Sequence, residues 1–450
     1  MRKFTQLLLI ITIVFNWQHS YSQVNPEFDE YIEKRMTVER IPGISIALID
    51  SDGSVTFYNY GTMGIESAEP VTEHTIFESG SITKTFSSGL LRILMDQYKI
   101  SPDTPLREIF GEEVSIPAKD EIEVTLEHLV MHTSGLPRLP GNLSPADMND
   151  PYNEYTPEML FEFLGSYELS RNPGEEFEYS NYAYMLLGQA LQKIAGKSYD
   201  ELLDEWYFSK LDMPSTNRFL SDSLRLAQPT TSGLPAQRWH SEHVPGFGGL
   251  LSTTHDLANY IKLYLGHSDH PKEKLLRKNI ETMNNLDGAF NMSYAWIVAT
   301  AFEDTVAFHG GGTGGFRTFA GYSPVSGRGA VVMSNGTNDV QDIGRHLIND
   351  NFNLAVINKV LKMTPEQLQM FTGEFVSETL PQMTISVNGD LLMAELAGQP
   401  PLPVMPIEET VFYNDRVEAR LEFETDGDEV SGFVLKQGES THRFKKVNKK

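Results

Sequence analysis

The 450-residue chain contains no cysteine. Disulfides, thiol nucleophiles and thiolate metal sites are thereby excluded. So is a bacterial lipid anchor, which needs a cysteine at its cleavage site. Cationic residues are scarce: 36 Lys and Arg stand against 61 Asp and Glu, for a net charge of −25. An acidic surface favours solvation and disfavours nucleic acid or anionic lipid, so neither is expected as a partner. Long apolar runs are also missing. Residues 7–15 (LLLIITIVF) form the main one, too short to span a bilayer. Heptads, low-complexity tracts and clear internal repeats are absent too. What remains has the length for two or three domains and the composition of a globular protein.

The first residues read as a secretory signal over 1–22. Arg2 and Lys3 precede the apolar run, and Ser20 and Ser22 offer small residues at a cleavage point before Gln23. The mature chain is expected to be soluble and either periplasmic or secreted, with no membrane span.

Residues 44–49 (ISIALI), the turn 50–53 (DSDG) and residues 55–60 read as a β-hairpin. After Ser81 the apolar residues Ile82, Phe86, Leu90, Leu91 and Leu94 recur at helical spacing, which predicts a helix with one buried face opening at Ser81. Residues 102–294 read as mostly helical, broken by Pro- and Gly-rich loops. Strands return near Val298, at 305–309, 316–322 and 329–333, and a long helix is predicted over 339–361. One antiparallel sheet built from both ends, flanked by helices and a helical part, is the simplest packing. Beyond Met363 the texture changes to short strands and tight turns, with 420–423 and 433–436 as a paired set. This predicts a small all-β barrel over 364–450, following a main domain over 23–363.

Three motifs carry chemistry. Ser81 and Lys84 stand one helical turn apart where a helix begins, so free N–H groups and the helix dipole lie near the serine. Lys84 can serve as a base only if burial or a nearby cation lowers its pKa. Tyr179-Ser180-Asn181 opens a second helical pattern. A tyrosine there can relay a proton, and an asparagine can meet a substrate amide. The run from His309 to Gly315 (HGGGTGG) ends a strand, where glycines let backbone N–H groups approach a ligand. It lacks the lysine and the following helix of a phosphate loop. His128 and His132 have the spacing of a zinc helix, but Glu127 precedes the first histidine and no third ligand is evident. Packed or hydrogen-bonded histidines are the better reading, and neither a metal nor a cofactor is called for. Trp239, His240 and His243 are equally readable as cleft lining and as ordinary loop packing.

Ser-x-x-Lys, Tyr-x-Asn and His-x-Gly in this order resemble the penicillin-recognising serine hydrolases, in particular the class C β-lactamase, DD-peptidase and D-aminopeptidase group. Residues 131–137 (MHTSGLP), 211–214 (LDMP) and 248–256 (GGLLSTTHD) carry the same resemblance, which runs from about Pro42 to Asn335. The C-terminal part resembles appended lipocalin-like modules. The resemblance implies an α/β (α+β) fold of the DD-peptidase/β-lactamase type. It also implies an acyl-enzyme on Ser81, with Lys84 and Tyr179 handling protons. Ser81 and Gly312 would supply oxyanion N–H groups beside Gly311, and Asn181 and His309 would orient a small-molecule or peptide substrate. Which of Lys84 and Tyr179 is the base stays open. Two departures stand out. His309 occupies the place of the β-lactamase lysine, and Tyr294-Ala295-Trp296 replaces the usual Tyr-Gly-x-Gly-Trp. Peptidase, carboxylesterase and weak β-lactamase all fit these motifs. A non-catalytic binding protein fits less well, because it would have no use for all three reactive residues.

Overall fold

The computed structural model describes residues 26–447 except 221, 288, 358–359, 400, 415–416, 428 and 439. The expected signal segment lies outside the described residues. Among them, no helix is long and apolar enough to cross a membrane.

The main body is an eight-stranded antiparallel sheet. Its order is Val55–Gly61, Gly43–Ile49, Gly329–Ser334, Arg317–Tyr322, Asp304–Gly312, Trp296–Ala301, Phe290–Ser293 and Asn284–Asp287. The predicted N-terminal hairpin pairs as expected, Ile44 opposite Tyr60 and Ile49 opposite Val55. Its inner strand then lies against Gly329–Ser334, so the two ends of the main body meet in one sheet.

The near-continuous apolar run at 44–49 follows from burial on both faces. Ala47, Ile49, Val331 and Met333 point into the larger core beneath the helical part. Ile44, Ile46, Leu48 and Val332 point the other way, toward helices Pro26–Glu39 and Gln341–Ile348. Alternate residues of one strand thus feed two cores, as a helix-covered sheet requires.

Helix Thr83–Tyr98 departs from the one-faced expectation. Thr83 through Leu91 are all buried, polar residues included. The polar ones satisfy themselves locally: Thr83 Oγ1 donates to Gly80 O, Thr85 Oγ1 to Ile82 O and Ser88 Oγ to Thr85 O. This is a core helix, packed on helix Asn181–Ala195. It also begins two residues later than predicted, because Gly80–Ile82 form a 3-10 turn that carries Ser81.

Between the two sheet-forming ends, much of 102–294 is loop rather than helix. Short helices such as Leu106–Phe110, Leu126–Val130 and Pro157–Ser166 are separated by turns rich in Pro and Gly. The predicted helix over 339–361 is confined to Gln341–Ile348. Asn349 leaves helical geometry and its side-chain oxygen accepts from the Asn351 N–H, replacing helix bonds with a turn. Positions 358–359 of that prediction lie outside the described residues.

A closed eight-stranded antiparallel barrel follows, from Gly373–Val376 to Ser440–Lys446, with Phe375 opposite Lys446 closing it. The paired set appears in register, Arg420 opposite Lys436 and Phe423 opposite Phe433. The barrel has its own apolar core around Phe375, Phe412 and Phe433.

One buried ion pair fastens helix Pro26–Glu39 to helix Gln341–Ile348. Arg35, 3% exposed, lies 2.6 Å from Asp342 and 3.1 Å from Glu39, and also donates to the Asp339 carbonyl. Removing one partner of such a pair strands the other in a poor solvent. Arg35→Met is expected to lower stability by about 3–5 kcal/mol in urea unfolding. Joint replacement of Arg35 and Asp342 by apolar residues should restore a large part of the loss.

Candidate active site

The end of strand Asp304–Gly312 lies against the 3-10 turn that holds Ser81. Only glycines allow this approach. A Cβ on Gly311 would meet Ser79 O at 2.0 Å, and one on Gly80 would meet Gly312 N at 2.6 Å. Thr318 Oγ1 donates to Ser79 O at 2.9 Å and pins the turn from the next strand. The backbone of Gly311 and Gly312 is thereby brought beside Gly80–Ser81, where two N–H groups can face one carbonyl oxygen.

Lys84 projects from the first turn of its helix and is fully buried. Its Nζ lies 3.0 Å from Ser81 Oγ, 2.8 Å from Asn181 Oδ1 and 2.6 Å from Phe247 O. Burial, with Arg138 nearby, holds its pKa well below the usual lysine range. The neutral amine fits this set of neighbours. Once the proton is released, two N–H groups can serve the two carbonyl oxygens while the lone pair faces the Ser81 hydroxyl.

Tyr179 lines the other side of Ser81 and is hydrogen-bonded to it. Burial pushes its phenol up, while that hydrogen bond and Arg138 pull it back. Tyr179 immediately precedes Ser180, the N-cap of helix Asn181–Ala195. The loop after Met131 fixes this corner. Ser180 N donates to His132 Nδ1 and Ser180 Oγ to Pro137 O, while Asn181 N donates to Arg138 O. The His132 ring stacks on Tyr179 at 4.4 Å, and the Arg138 guanidinium lies 5.2 Å from the same ring.

His128 and His132 therefore have structural partners. The helix carrying His128 ends at Val130, and His132 lies beyond it with φ 58°. His128 Nδ1 accepts from Thr125 N and completes a capping box.

The remaining motifs are supports. Thr253 caps helix Thr254–Leu265, and Asp256 accepts from Ser215 N and Thr216 Oγ1. Residues 248–256 are thus joined to the segment after Pro214. Tyr294 and Ala295 form a two-residue turn between paired Ser293 and Trp296, with φ values of 21° and 69°. Both are buried in the core, so this segment supports the sheet end and does not line the cleft.

Ser81, Tyr179, Asn181, His309 and Gly310–Gly312 share one open cleft of about 770 Å³. Trp239 lines it, which settles its open reading; His240 instead pairs with Asp150 at 2.7 Å. Sequence reading missed Glu78, Arg138 and Tyr152, which also reach this region. Arg138 immediately follows the MHTSGLP run, and its position there was the available signal. The barrel approaches too: Met393, Leu402 and Pro403 share a cavity of about 170 Å³ with Trp239 and Gly314.

The Beta-lactamase family model matches residues 28–350. The chain belongs to the beta-lactamase family. Homologues in this family are serine hydrolases, and this beta-lactamase-family chain is one of them. It is 24% identical over 388 residues to Protein flp of Staphylococcus aureus strain MRSA252, covering 83% of this chain and 74% of that one. It is 26% identical over 357 residues to the D-alanyl-D-alanine-carboxypeptidase/endopeptidase AmpH of Escherichia coli K12, covering 70% and 89%. The octameric penicillin-binding protein homologue from Pyrococcus abyssi shares the fold at TM-score 0.64 and 24% identity, over 93% of this chain and 99% of that one. A beta-lactamase/D-alanine carboxypeptidase from Yersinia pestis does so at 0.61 and 23% identity, over 68% and 91%.

His309 opens the glycine run, 3% exposed, with Nδ1 2.6 Å from Gly310 O. Burial, then the neighbouring Lys84, pushes its pKa down to about 3 from 6.5. The native ring is neutral near pH 7. Because the unfolded ring binds its proton at higher pH, the stability tied to the neutral ring is lost as pH falls from about 6.5 toward about 3. The ¹⁵N shifts of the His309 imidazole are expected to stay those of a neutral ring from pH 8 to about 4.5. A midpoint near 6 would contradict this environment.

Proposed function

We propose that this protein is an exported serine hydrolase that works through an acyl-enzyme on Ser81. Its substrates are amides in D-amino-acid-containing or cell-wall-like peptides. The observation that carries this reading is the fully buried Lys84 amine 3.0 Å from Ser81 Oγ. A desolvated amine of lowered pKa is able to take the serine proton at neutral pH. Tyr179, hydrogen-bonded to Ser81, passes a proton to the leaving group. The N–H groups of Ser81 and Gly312 receive the oxyanion, with Gly311 giving the backbone its close approach. Asn181 and His309 orient the substrate. Water then releases the acyl group.

The Escherichia coli relative named as a carboxypeptidase and endopeptidase supports the peptide reading. Carboxylester hydrolysis uses the same acyl-enzyme and is the second reading. Export rests on the N-terminal signal pattern. Residues 23–363 are read as the hydrolase unit and 364–450 as a barrel unit that shapes access beside Trp239.

A fluorophosphonate is expected to label wild-type protein at Ser81, as read by peptide mass, and to leave Ser81→Ala unlabelled. Lys84→Met should stay folded and acylate about 10²–10⁴ times more slowly. Equal labelling of wild type and Ser81→Ala would end this reading.

A neutral His309 offers a substrate carboxylate no fixed charge. Nitrocefin turnover is therefore expected to be poor, with kcat/KM below about 10⁴ M⁻¹s⁻¹, the low end for enzymes. D-aminoacyl amides, a D-Ala-D-Ala peptide and p-nitrophenyl esters in the same assay distinguish peptidase from esterase.

A further inference from the structure

Three residues before the nucleophile stands a carboxylate that the mechanism above does not use. Glu78 lies on the short strand Phe77–Glu78, paired with Leu251–Ser252, and is 4% exposed. Its Oε1 accepts from Trp239 N at 2.8 Å, while Oε2 has no hydrogen-bond partner. It lines an inner recess of the cleft together with Ser81, Gly312, Thr313 and Trp239. Thr313 Oγ1, also buried, faces the Glu78 carboxylate without a well-aligned hydrogen bond to it. The recess measures about 30 Å³, the volume of a single water. Two incompletely satisfied polar atoms beside a space of that size form a polar site that offers a water partners.

We propose that Glu78 and Thr313 hold a single water in this recess, and that Glu78 takes a proton from it as it attacks the acyl group on Ser81. This rests on the acyl-enzyme reading. The water oxygen bonds to the acyl carbon, one of its protons passes to Glu78, and the carbonyl electrons move to the oxyanion. On collapse the carbon–Oγ bond breaks. Ser81 Oγ leaves with the electron pair and takes a proton from Tyr179, which recovers one from Glu78 through solvent. Water and acyl-serine thus become free acid and serine. Burial raises the Glu78 carboxyl to about 7, so a share of it is a base near neutral pH.

Pre-steady-state hydrolysis of a p-nitrophenyl ester by the full chain tests this. Glu78→Gln keeps the acceptor for Trp239 N and should leave the burst rate within about threefold of wild type. The steady-state rate should fall by about 10²-fold or more, the scale of a lost general base. Intact mass should then show acyl adduct accumulating on Ser81. Thr313→Val should act in the same direction by a smaller factor, and it decides the matter if Glu78→Gln does not fold. A parallel fall of burst and steady-state rates, or no change in either, overturns the proposal. Absence of any Ser81 adduct in wild type would overturn the acyl-enzyme reading beneath it as well.

Discussion

The site depends on one buried amine. Lys84 is surrounded by two carbonyl oxygens, one hydroxyl and the rings of Tyr179, Tyr184 and Phe247, and no carboxylate pairs with it among the described residues. A charged ammonium in that setting would carry a large desolvation cost with no ion to offset it. Releasing the proton removes that cost and leaves a base facing Ser81. The rest of the main body serves to keep that amine dry and aimed.

Several elements contribute. The helix that bears Lys84 is enclosed nearly all round, so its small polar residues bond to nearby carbonyls and leave room for close packing. Helix Asn181–Ala195 brings Asn181 to the amine from a second direction, and the loop from His132 to Arg138 fixes how that helix begins. The glycine run closes a third side by backbone approach alone. These contacts come from segments far apart in sequence, so the geometry of the site is a property of the whole sheet-and-helix body.

Much of this was legible in the sequence because it is written in local periods. The apolar runs at 44–49 and 329–333, the helical spacing after Ser81 and the short strands beyond Met363 each reflect how those segments are buried. Motif order supplied Ser81, Lys84 and Tyr179. What was not legible depends on long-range packing. The helix around Lys84 shows one apolar face in sequence but is buried on its polar side as well. The predicted helix over 339–361 fails at Asn349, where a side chain competes with the backbone. Nothing local marks Glu78 in the sequence; its burial comes from the distant Trp239 loop.

The pH dependence of Ser81 acylation by a non-ionising fluorophosphonate tests the buried-amine account most directly. A neutral Lys84 predicts a rate already on its plateau near pH 7–8, falling only on the acid side. A rate that climbs about tenfold per pH unit up to the ordinary lysine range near 10.4 would contradict it, because Lys84 would then be an ammonium at neutral pH.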